Sequence, residues 1–274
     1  MKPKRTLAQR LCAAPYLLWS VIFIVVPLGV VAYYAFTDGN GTFTLNNISA
    51  IADYGDTLLL SVWLGAVATV ISLVIAYPIA YMISRMPQSK QRIMIVLVML
   101  PMWMNLILRT YALMTILEDT GIINSLLSYI GIGPIHVINT RAAVVIGMVY
   151  NFIPYMILPL YTVMTKIDKN LIEAAQDLGG SAMSVFKRVV LPLSVPGIAS
   201  GVTMVFVPSV STFYISQKLG GNLMLIGDVI DTKFNWEYNY NVGAALSLVL
   251  MVMIFICIAI MNQYTDGEGE TMVV

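Results

Sequence analysis

The sequence predicts an all-α integral membrane protein with six transmembrane helices. Hydrophobic residues make up 59% of its 274 residues and charged residues only 11%, whereas an ordinary soluble domain is about 25% charged. Six separate segments reach the roughly 20 mostly apolar residues that a helix needs to cross a bilayer. The sequence shows no strand-like alternation of apolar and polar residues. Since only helices and closed barrels satisfy the backbone in lipid, helices are expected throughout.

The first predicted span covers about residues 15–36 and follows a basic N-terminal tail, residues 1–14. Such a tail before an apolar run is typical of a signal peptide, but this run is long enough to cross a bilayer, and no small-residue cleavage site follows it. We therefore expect the segment to be retained as a membrane anchor. The other spans are predicted at about residues 58–84, 93–117, 141–165, 194–216 and 242–262.

Residues 15–262 are thus expected to form one transmembrane domain, followed by a cytoplasmic C-terminal tail of residues 263–274. The connections between the spans are too short to hold a soluble domain. The two cysteines, Cys12 and Cys257, are too few for a disulfide framework, and we expect both of them to be inert.

Lysine and arginine are concentrated in alternate connections. The N-terminal tail and the loops of residues 85–92 and 166–193 are basic, whereas the loop of residues 37–57 contains neither lysine nor arginine. Short basic loops are retained on the cytoplasmic side of a membrane. Both termini and the loop of residues 166–193 are therefore predicted to be cytoplasmic.

The loop of residues 166–193 carries the most specific pattern in the chain. A helical stretch contains an E-A-A triplet, and a glycine follows six residues after the glutamate, where a helix would stop in a left-handed conformation. A second short helical pattern then ends in Leu-Pro. This arrangement resembles the coupling loop of ABC importer permeases, which docks on a cytoplasmic ATPase; the alternative is an ordinary helical loop. The residues assigned to coupling are Glu173, Ala174, Ala175, Asp177, Gly179, Leu191 and Pro192.

The resemblance extends over about residues 15–262 and is strongest to the PotB-type permeases of spermidine/putrescine importers. Further stretches that carry it lie at residues 101–111, 154–161 and 220–227. It implies the type I ABC importer permease (MetI-like) fold with both termini cytoplasmic, a place in the inner membrane, and three kinds of protein partner. These are a sister permease that completes a heterodimer, two cytoplasmic ATPase subunits, and an extracytoplasmic substrate-binding protein. ATP and Mg would be bound by the ATPase subunits, because this chain has no Walker-type phosphate loop; it is expected to bind no cofactor itself.

Polar residues, aromatic residues and prolines are concentrated in the third, fourth and fifth predicted spans. Helices that line a transport path must offer polar groups, so we place the substrate path on these spans. The alternative is hydrogen bonding between helices without any path. The predicted path residues are Trp103, Asn105, Arg109, Tyr111, Tyr150, Asn151, Tyr155, Ser211 and Tyr214.

Arg109 is a charged residue within an apolar span. Counted along a straight helix from Ile93, it lies about 24 Å into the third span and hence in the outer part of the bilayer. A charge there is costly unless it reaches the interface or forms an ion pair. Glu118 and Asp119 are candidate partners. Arg109 is thus predicted to be either a gate or binding element, or an interfacial anchor.

Four carboxylates are predicted to lie at the outer mouth of the path: Glu118, Asp119, Asp228 and Asp231. With the aromatic faces in the spans, they suit a linear polycation held by ionic and cation–π contacts. His136 stands alone in an outer loop and is interpreted as an interfacial histidine. A metal site is not expected, since the chain has a single histidine.

The predicted function is that of a polyamine importer's permease subunit. Alternatives are an ABC permease for ferric iron, thiosulfate or an amino acid, and an ion-coupled secondary transporter. The last would need acids near the middle of the membrane or inverted repeats. Nucleophile-elbow and zinc-protease motifs are missing from the sequence, so an enzyme is not expected. The sequence also has no basic, aromatic-rich patch, so a nucleic-acid partner is not expected.

Overall fold

The computed structural model describes residues 15–131 and 133–266, and every regular element within these ranges is a helix. One isolated antiparallel bridge joins Thr37 to Phe43. The predicted basic tail with Cys12, and residues 267–274, lie outside the described residues. The described chain forms two compact units. The first comprises residues 15–55 and 229–252, and the second comprises residues 56–228 and 253–266.

Thirteen helices of the described residues are numbered here in chain order. They are α1 (Pro15–Ala35), α2 (Asn46–Ser49), α3 (Gly55–Arg85), α4 (Gln88–Met99), α5 (Leu106–Leu117), α6 (Ile122–Tyr129), α7 (Arg141–Met164), α8 (Lys169–Asp177), α9 (Ala182–Val185), α10 (Leu191–Ser211), α11 (Tyr214–Leu219), α12 (Ile226–Asn235) and α13 (Tyr240–Asp266). Short 3₁₀ turns at Ala50–Tyr54 and Leu100–Trp103, and a π turn at Phe186–Val190, join some of them.

Five helical segments of the described chain are long and apolar enough to cross a membrane, and a bent pair of helices raises the number to six. The five are Pro15–Ala35, Asn46–Arg85, Arg141–Met164, Ala182–Ser211 and Tyr240–Met261. The bent pair corresponds to the third predicted span. The structure therefore agrees with the predicted number of membrane crossings if this pair crosses as one unit.

The third predicted span is not one straight helix. Gln88–Trp103 and Leu106–Tyr129 meet at an angle of 94°. Pro101 lacks a backbone N–H and lies in a 3₁₀ turn, Met104 is extended, and the side chain of Asn105 caps the next helix by accepting from the Ile107 N–H at 2.8 Å. The chain thus stops and restarts its helix within an apolar run, which is more than the kink that a proline alone suggests.

The fifth predicted span, about 194–216, also ends earlier than expected. Helix α10 ends at Ser211, Thr212 is extended, and the chain resumes as α11 at Tyr214. Gly227 lies against this break, because a Cβ at that position would stand 2.5 Å from the Thr212 carbonyl oxygen. The short connection of residues 212–213 therefore redirects the chain at the end of the span.

The core of the second unit lies between α7 and α10. Met148, Met156 and Leu160 of α7 are fully buried there. Gly201 of α10 lies directly against Met156, since a Cβ at Gly201 would stand 3.3 Å from the Met156 carbonyl oxygen and 2.6 Å from its sulfur. Small residues of this kind let two helices approach closely where burial of apolar surface from water contributes little.

The first unit is held by backbone contacts from two asparagines. The Asn47 amide donates to the Thr37 carbonyl oxygen at 2.8 Å, and the Asn241 amide donates to the same oxygen at 2.6 Å. Ala35, Ala244 and Ala245 form the buried cluster beside them. These contacts join α1, the loop that follows it and α13 within this unit.

Candidate functional site

Four of the predicted coupling residues, Glu173, Ala174, Ala175 and Asp177, lie on the short helix α8, which has defined ends. Asp168 caps α8 by accepting from the Asn170 N–H at 3.0 Å. At its other end Gly179 has φ 83° and donates to the Gln176 carbonyl oxygen at 2.8 Å, and Gly180 donates to the Ala175 carbonyl oxygen at 3.1 Å. This pair of bonds is the Schellman motif, in which glycine avoids the strain of the left-handed region. The sequence signal at Gly179 therefore marks a sharp helix stop.

The predicted coupling segment, residues 166–193, presents both apolar and acidic side chains to its surroundings. Leu178 is 90% exposed, and Leu171 and Met183 are also exposed. Glu173 and Asp177 are exposed on the same short helix. Exposed apolar side chains near polar ones are common on protein-binding surfaces.

The second half of the segment passes directly into a predicted span. Ser181 caps α9 by accepting from the Ser184 N–H at 3.3 Å, and a π turn leads from Phe186 into α10. Leu191 and Pro192 form the first turn of α10, where the π turn has already interrupted the α-helical bonding pattern. The second half of the segment and the fifth span thus form one continuous helical stretch, Ala182–Ser211.

Two aromatic contacts connect this path to α3. The Phe186 ring meets the Tyr77 ring edge to face, with centroids 5.6 Å apart. The Tyr77 hydroxyl is hydrogen-bonded to the Ser194 hydroxyl at 2.8 Å. A displacement of the π turn would therefore act on α3 as well as on α10.

Arg85 and Gln91, which the sequence analysis counted only as parts of a loop, brace the end of α3. Arg85 donates to the Ile167 carbonyl oxygen at 3.4 Å, and its guanidinium lies over the Tyr81 ring at 5.3 Å. Gln91 donates to the Met86 carbonyl oxygen at 2.7 Å and accepts from the Tyr161 hydroxyl at 2.9 Å. Their spacing in the sequence gave no sign of these long-range contacts.

Of the nine predicted path residues, Tyr111 and Tyr214 are brought together. Their rings meet edge to face with centroids 6.3 Å apart. The Lys218 ammonium lies 5.3 Å from the Tyr111 centroid and 5.7 Å from the Tyr214 centroid. The sequence analysis did not single out Lys218; its position four residues after Tyr214 was the signal that could have identified it.

Arg109 does not pair with the acids that were proposed for it. It is only 5% exposed, and its Nη1 donates to the Pro101 carbonyl oxygen at 3.0 Å. Within the described residues neither Glu118 nor Asp119 lies within ion-pair distance of it. The straight helix from which its depth was estimated is not present, because the chain bends between Trp103 and Leu106. The side chain supports that bend.

The other predicted path residues are dispersed. Trp103 is 73% exposed, and Tyr150 and Tyr155 are exposed to a lesser degree. Asn151 is fully buried and donates to a carbonyl oxygen of its own helix, as does Ser211. Both bonds lie within a single helix, so they are not the hydrogen bonding between helices that was the alternative, and the place of Asn151 and Ser211 on a path stays a prediction.

The four predicted mouth acids have different surroundings. Asp119 lies 2.9 Å from Nδ1 of His136, so this histidine is not alone as the sequence suggested. Asp228 is 2% exposed and accepts from the Leu225 N–H at 2.7 Å, so it is a buried acid, and its place at the mouth stays a prediction. Asp231 accepts from the Asn235 amide at 2.8 Å, and Glu118 follows the last turn of α5.

The described residues contain no group of three or more metal-binding side chains close enough to share an ion. His136 and Asp119 are therefore an exposed pair, and nothing in their geometry suggests a metal centre.

Comparison with known proteins identifies the family. The model described as "Binding-protein-dependent transport system inner membrane component" matches residues 88–266. The spermidine/putrescine transport system permease protein PotB of Haemophilus influenzae is 36% identical over 245 residues, 84% of this chain and 86% of that protein. PotB of Escherichia coli K12 is 36% identical over 227 residues, which cover 79% of this chain and 82% of that protein.

Two solved structures share the fold. A bacterial ABC transporter that imports the acidic polysaccharide alginate superposes with a TM-score of 0.72 at 16% identity, over 92% of both chains. The bacterial alginate transporter in complex with an alginate pentasaccharide-bound periplasmic protein gives a TM-score of 0.69 at 16% identity, over 93% of both chains. The predicted fold class is thereby confirmed, while the orientation of the termini stays a prediction.

Proposed function

Because this chain belongs to the family of binding-protein-dependent transport system inner membrane components, we propose that it is the permease subunit of an ATP-driven importer of polyamines such as spermidine and putrescine. The observation that carries the substrate class is the 36% identity to a spermidine/putrescine permease over 84% of this chain. The paired tyrosines that already hold one ammonium fit that chemistry.

The chain works in this proposal as a passive element of a larger complex. A sister permease completes the membrane path as a heterodimer, and an extracytoplasmic binding protein delivers the polyamine. Two cytoplasmic ATPase subunits bind ATP and Mg and perform the only covalent chemistry, so this chain is not an enzyme. Both of its termini are cytoplasmic.

Force enters at the exposed surface of α8 in this proposal. Closure of the ATPase dimer moves Glu173, Leu178 and their neighbours, and the π turn transmits the displacement to α10. Helix α10 runs from the coupling segment to the break at Thr212. Its 21 residues span about 30 Å at 1.5 Å each, which is the thickness of a bilayer core. One helix can therefore transmit motion from the ATPase side to the paired tyrosines.

The substitution Gly179→Asp tests the coupling role. Gly179 is in the left-handed region with φ 83°, and no atom lies within 4 Å of an added Cβ, so the cost is backbone strain at the end of α8. We expect normal insertion, continued ATP hydrolysis and loss of spermidine uptake in the reconstituted complex. Gly39→Asp is the matched control, since Gly39 is also exposed and unobstructed but does not have a positive φ.

The same proteoliposomes test the substrate class. Labelled spermidine is compared with ferric iron, thiosulfate and amino acids, each with and without ATP. Uptake of one of these other solutes in place of spermidine would contradict the polyamine proposal. Uptake without ATP, driven by an ion gradient, would contradict the importer mechanism itself, and unchanged coupled uptake by Gly179→Asp would contradict the coupling role.

A further inference from the structure

We propose that the Lys218 side chain competes with the transported substrate. Its ammonium occupies the aromatic pair formed by Tyr111 and Tyr214, and a polyamine ammonium must displace it to pass. The inference rests on the proposed function for the identity of the cargo. It adds a residue that limits how tightly this part of the path binds a cation.

The geometry is that of a cation held by two rings. The Lys218 ammonium lies over both tyrosine rings, with centroids at 5.3 and 5.7 Å, inside the roughly 6 Å at which a ring attracts a cation. The rings are inclined at 76° to each other, so they offer the ammonium two faces from different directions.

The position of α11 keeps this arrangement in place. Ile215 and Leu219 are fully buried and pack against Gly147 of α7, where a Cβ would stand 2.7 Å from the Ile215 methyl group. Tyr214 and Lys218 are four residues apart and therefore share another face of the same short helix. That face contacts Tyr111 of α5.

Among the described residues the ammonium contacts Tyr111 and Tyr214, and it forms no ion pair with a carboxylate. The ion pairs among them join Asp119 to His136 and Lys233 to Glu237. Lys218 takes part in neither of these ion pairs. An alkylammonium on a flexible apolar stem is also the chemical group at the end of a polyamine. The polyamine and the Lys218 side chain therefore compete for one site with the same alkylammonium group.

The consequence is a site that always holds an ammonium group and binds the polyamine only weakly. When cargo leaves, Lys218 returns to the rings, which lowers the cost of releasing the cation. When cargo arrives, it gains only the difference between its own contacts and those of Lys218. Such a site suits a path through which a polycation must keep moving, since tight binding belongs to the delivery protein.

The test uses the complete reconstituted complex with Lys218→Met, which keeps an unbranched chain and removes the charge. We expect the KM for spermidine uptake to fall by about threefold to tenfold, the range of a cation–π contact. Equilibrium binding of labelled spermidine to the complex without ATP should tighten by the same factor, a result that a merely structural lysine would not give. Lys218→Arg should behave like the wild type, and Lys90→Met controls for loss of a surface charge.

A double substitution separates competition from simple charge repulsion. In a Tyr111→Leu, Tyr214→Leu background, Lys218→Met should leave the KM and the binding constant unchanged, because there are no rings left to compete for. A fall of equal size in that background would overturn the inference in favour of repulsion. If Lys218→Met does not insert normally, Lys218→Gln takes its place.

The two proposals fail differently. Unchanged KM and binding in Lys218→Met, with normal spermidine uptake by the wild type, would overturn the role of Lys218 and leave the proposed function standing. A wild-type complex that neither binds nor transports spermidine would overturn the proposed function and, with it, the cargo named here.

Discussion

A side chain at position 147 would collide with two buried residues of α11. A Cβ there would stand 2.7 Å from the Ile215 methyl group and closer still to Leu219. Gly147 itself is buried in the interior of α7. The absence of a side chain at this residue therefore fixes how near α11 lies to α7, and with it the position of Tyr214 and Lys218.

Gly147→Val should destabilise the protein and disturb the paired tyrosines. Overpacking a dense helix interface costs about 1–3 kcal/mol, and here the displaced element is α11. We expect a lower unfolding temperature of the purified complex and weaker spermidine uptake. Gly29→Val is the matched control, because Gly29 is also within a helix but is exposed and has no atom within 4 Å of an added Cβ. Equal unfolding temperatures for the two variants would contradict this account.

At the scale of the elements, the π turn at Phe186–Val190 joins the coupling segment to α10. A π turn contains one residue more than an α-helical turn requires and often marks a functional position. Here it carries Phe186 towards Tyr77 of α3, while the Tyr77 hydroxyl reaches Ser194 of α10. The turn thus lies among three elements that the proposed coupling mechanism requires to move together.

Phe186→Ala should weaken the coupling between ATP hydrolysis and uptake. Removing the ring deletes the edge-to-face contact with Tyr77 and leaves the exposed docking surface of α8 unaltered. We expect ATP hydrolysis to continue while the polyamine imported per ATP falls by about threefold or more. Tyr77→Phe keeps the ring contact and loses only the bond to Ser194, so it should retain most of the coupling. Parallel loss of hydrolysis and uptake in Phe186→Ala would instead indicate failed docking.

The break in the third span is a local feature that could not be predicted from the sequence. Residues 93–117 form an apolar run of spanning length, so length and composition predict one helix. Two local interactions break it: the cap from Asn105 and the bond from Arg109 to the Pro101 carbonyl oxygen. The proline was visible in the sequence. The cap and the arginine contact depend on side-chain directions that residue type alone does not determine.

At the scale of the whole chain, the helical fold and the number of crossings followed from apolar length alone. The coupling residues could be proposed from the sequence because an E-A-A triplet and a glycine at fixed spacing are local signals, and their role stays a prediction. The path residues stay a prediction, and the sequence did not reveal the contacts that the structure gives them. Tyr111 and Tyr214 come together from distant parts of the sequence, and the burial of Asp228 follows from its bond to the Leu225 N–H. Contacts between distant residues leave no periodic trace in a single sequence.

The orientation of the chain is the premise on which the coupling mechanism depends, and it can be measured directly. Basic residues favour a cytoplasmic location for the loop of residues 166–193, and their scarcity places the loop of residues 37–57 outside. Two reporters are single cysteines that replace Met183, which is 62% exposed, and Gly39, which is also exposed. Both are made in a background without Cys12 and Cys257. An impermeant maleimide applied to cells with a permeabilised outer membrane should label Gly39→Cys at once, and label Met183→Cys only after the inner membrane is opened. Labelling of Met183→Cys from outside would place the coupling segment away from any ATPase, and an ATP-driven mechanism would then have no point of contact with this chain.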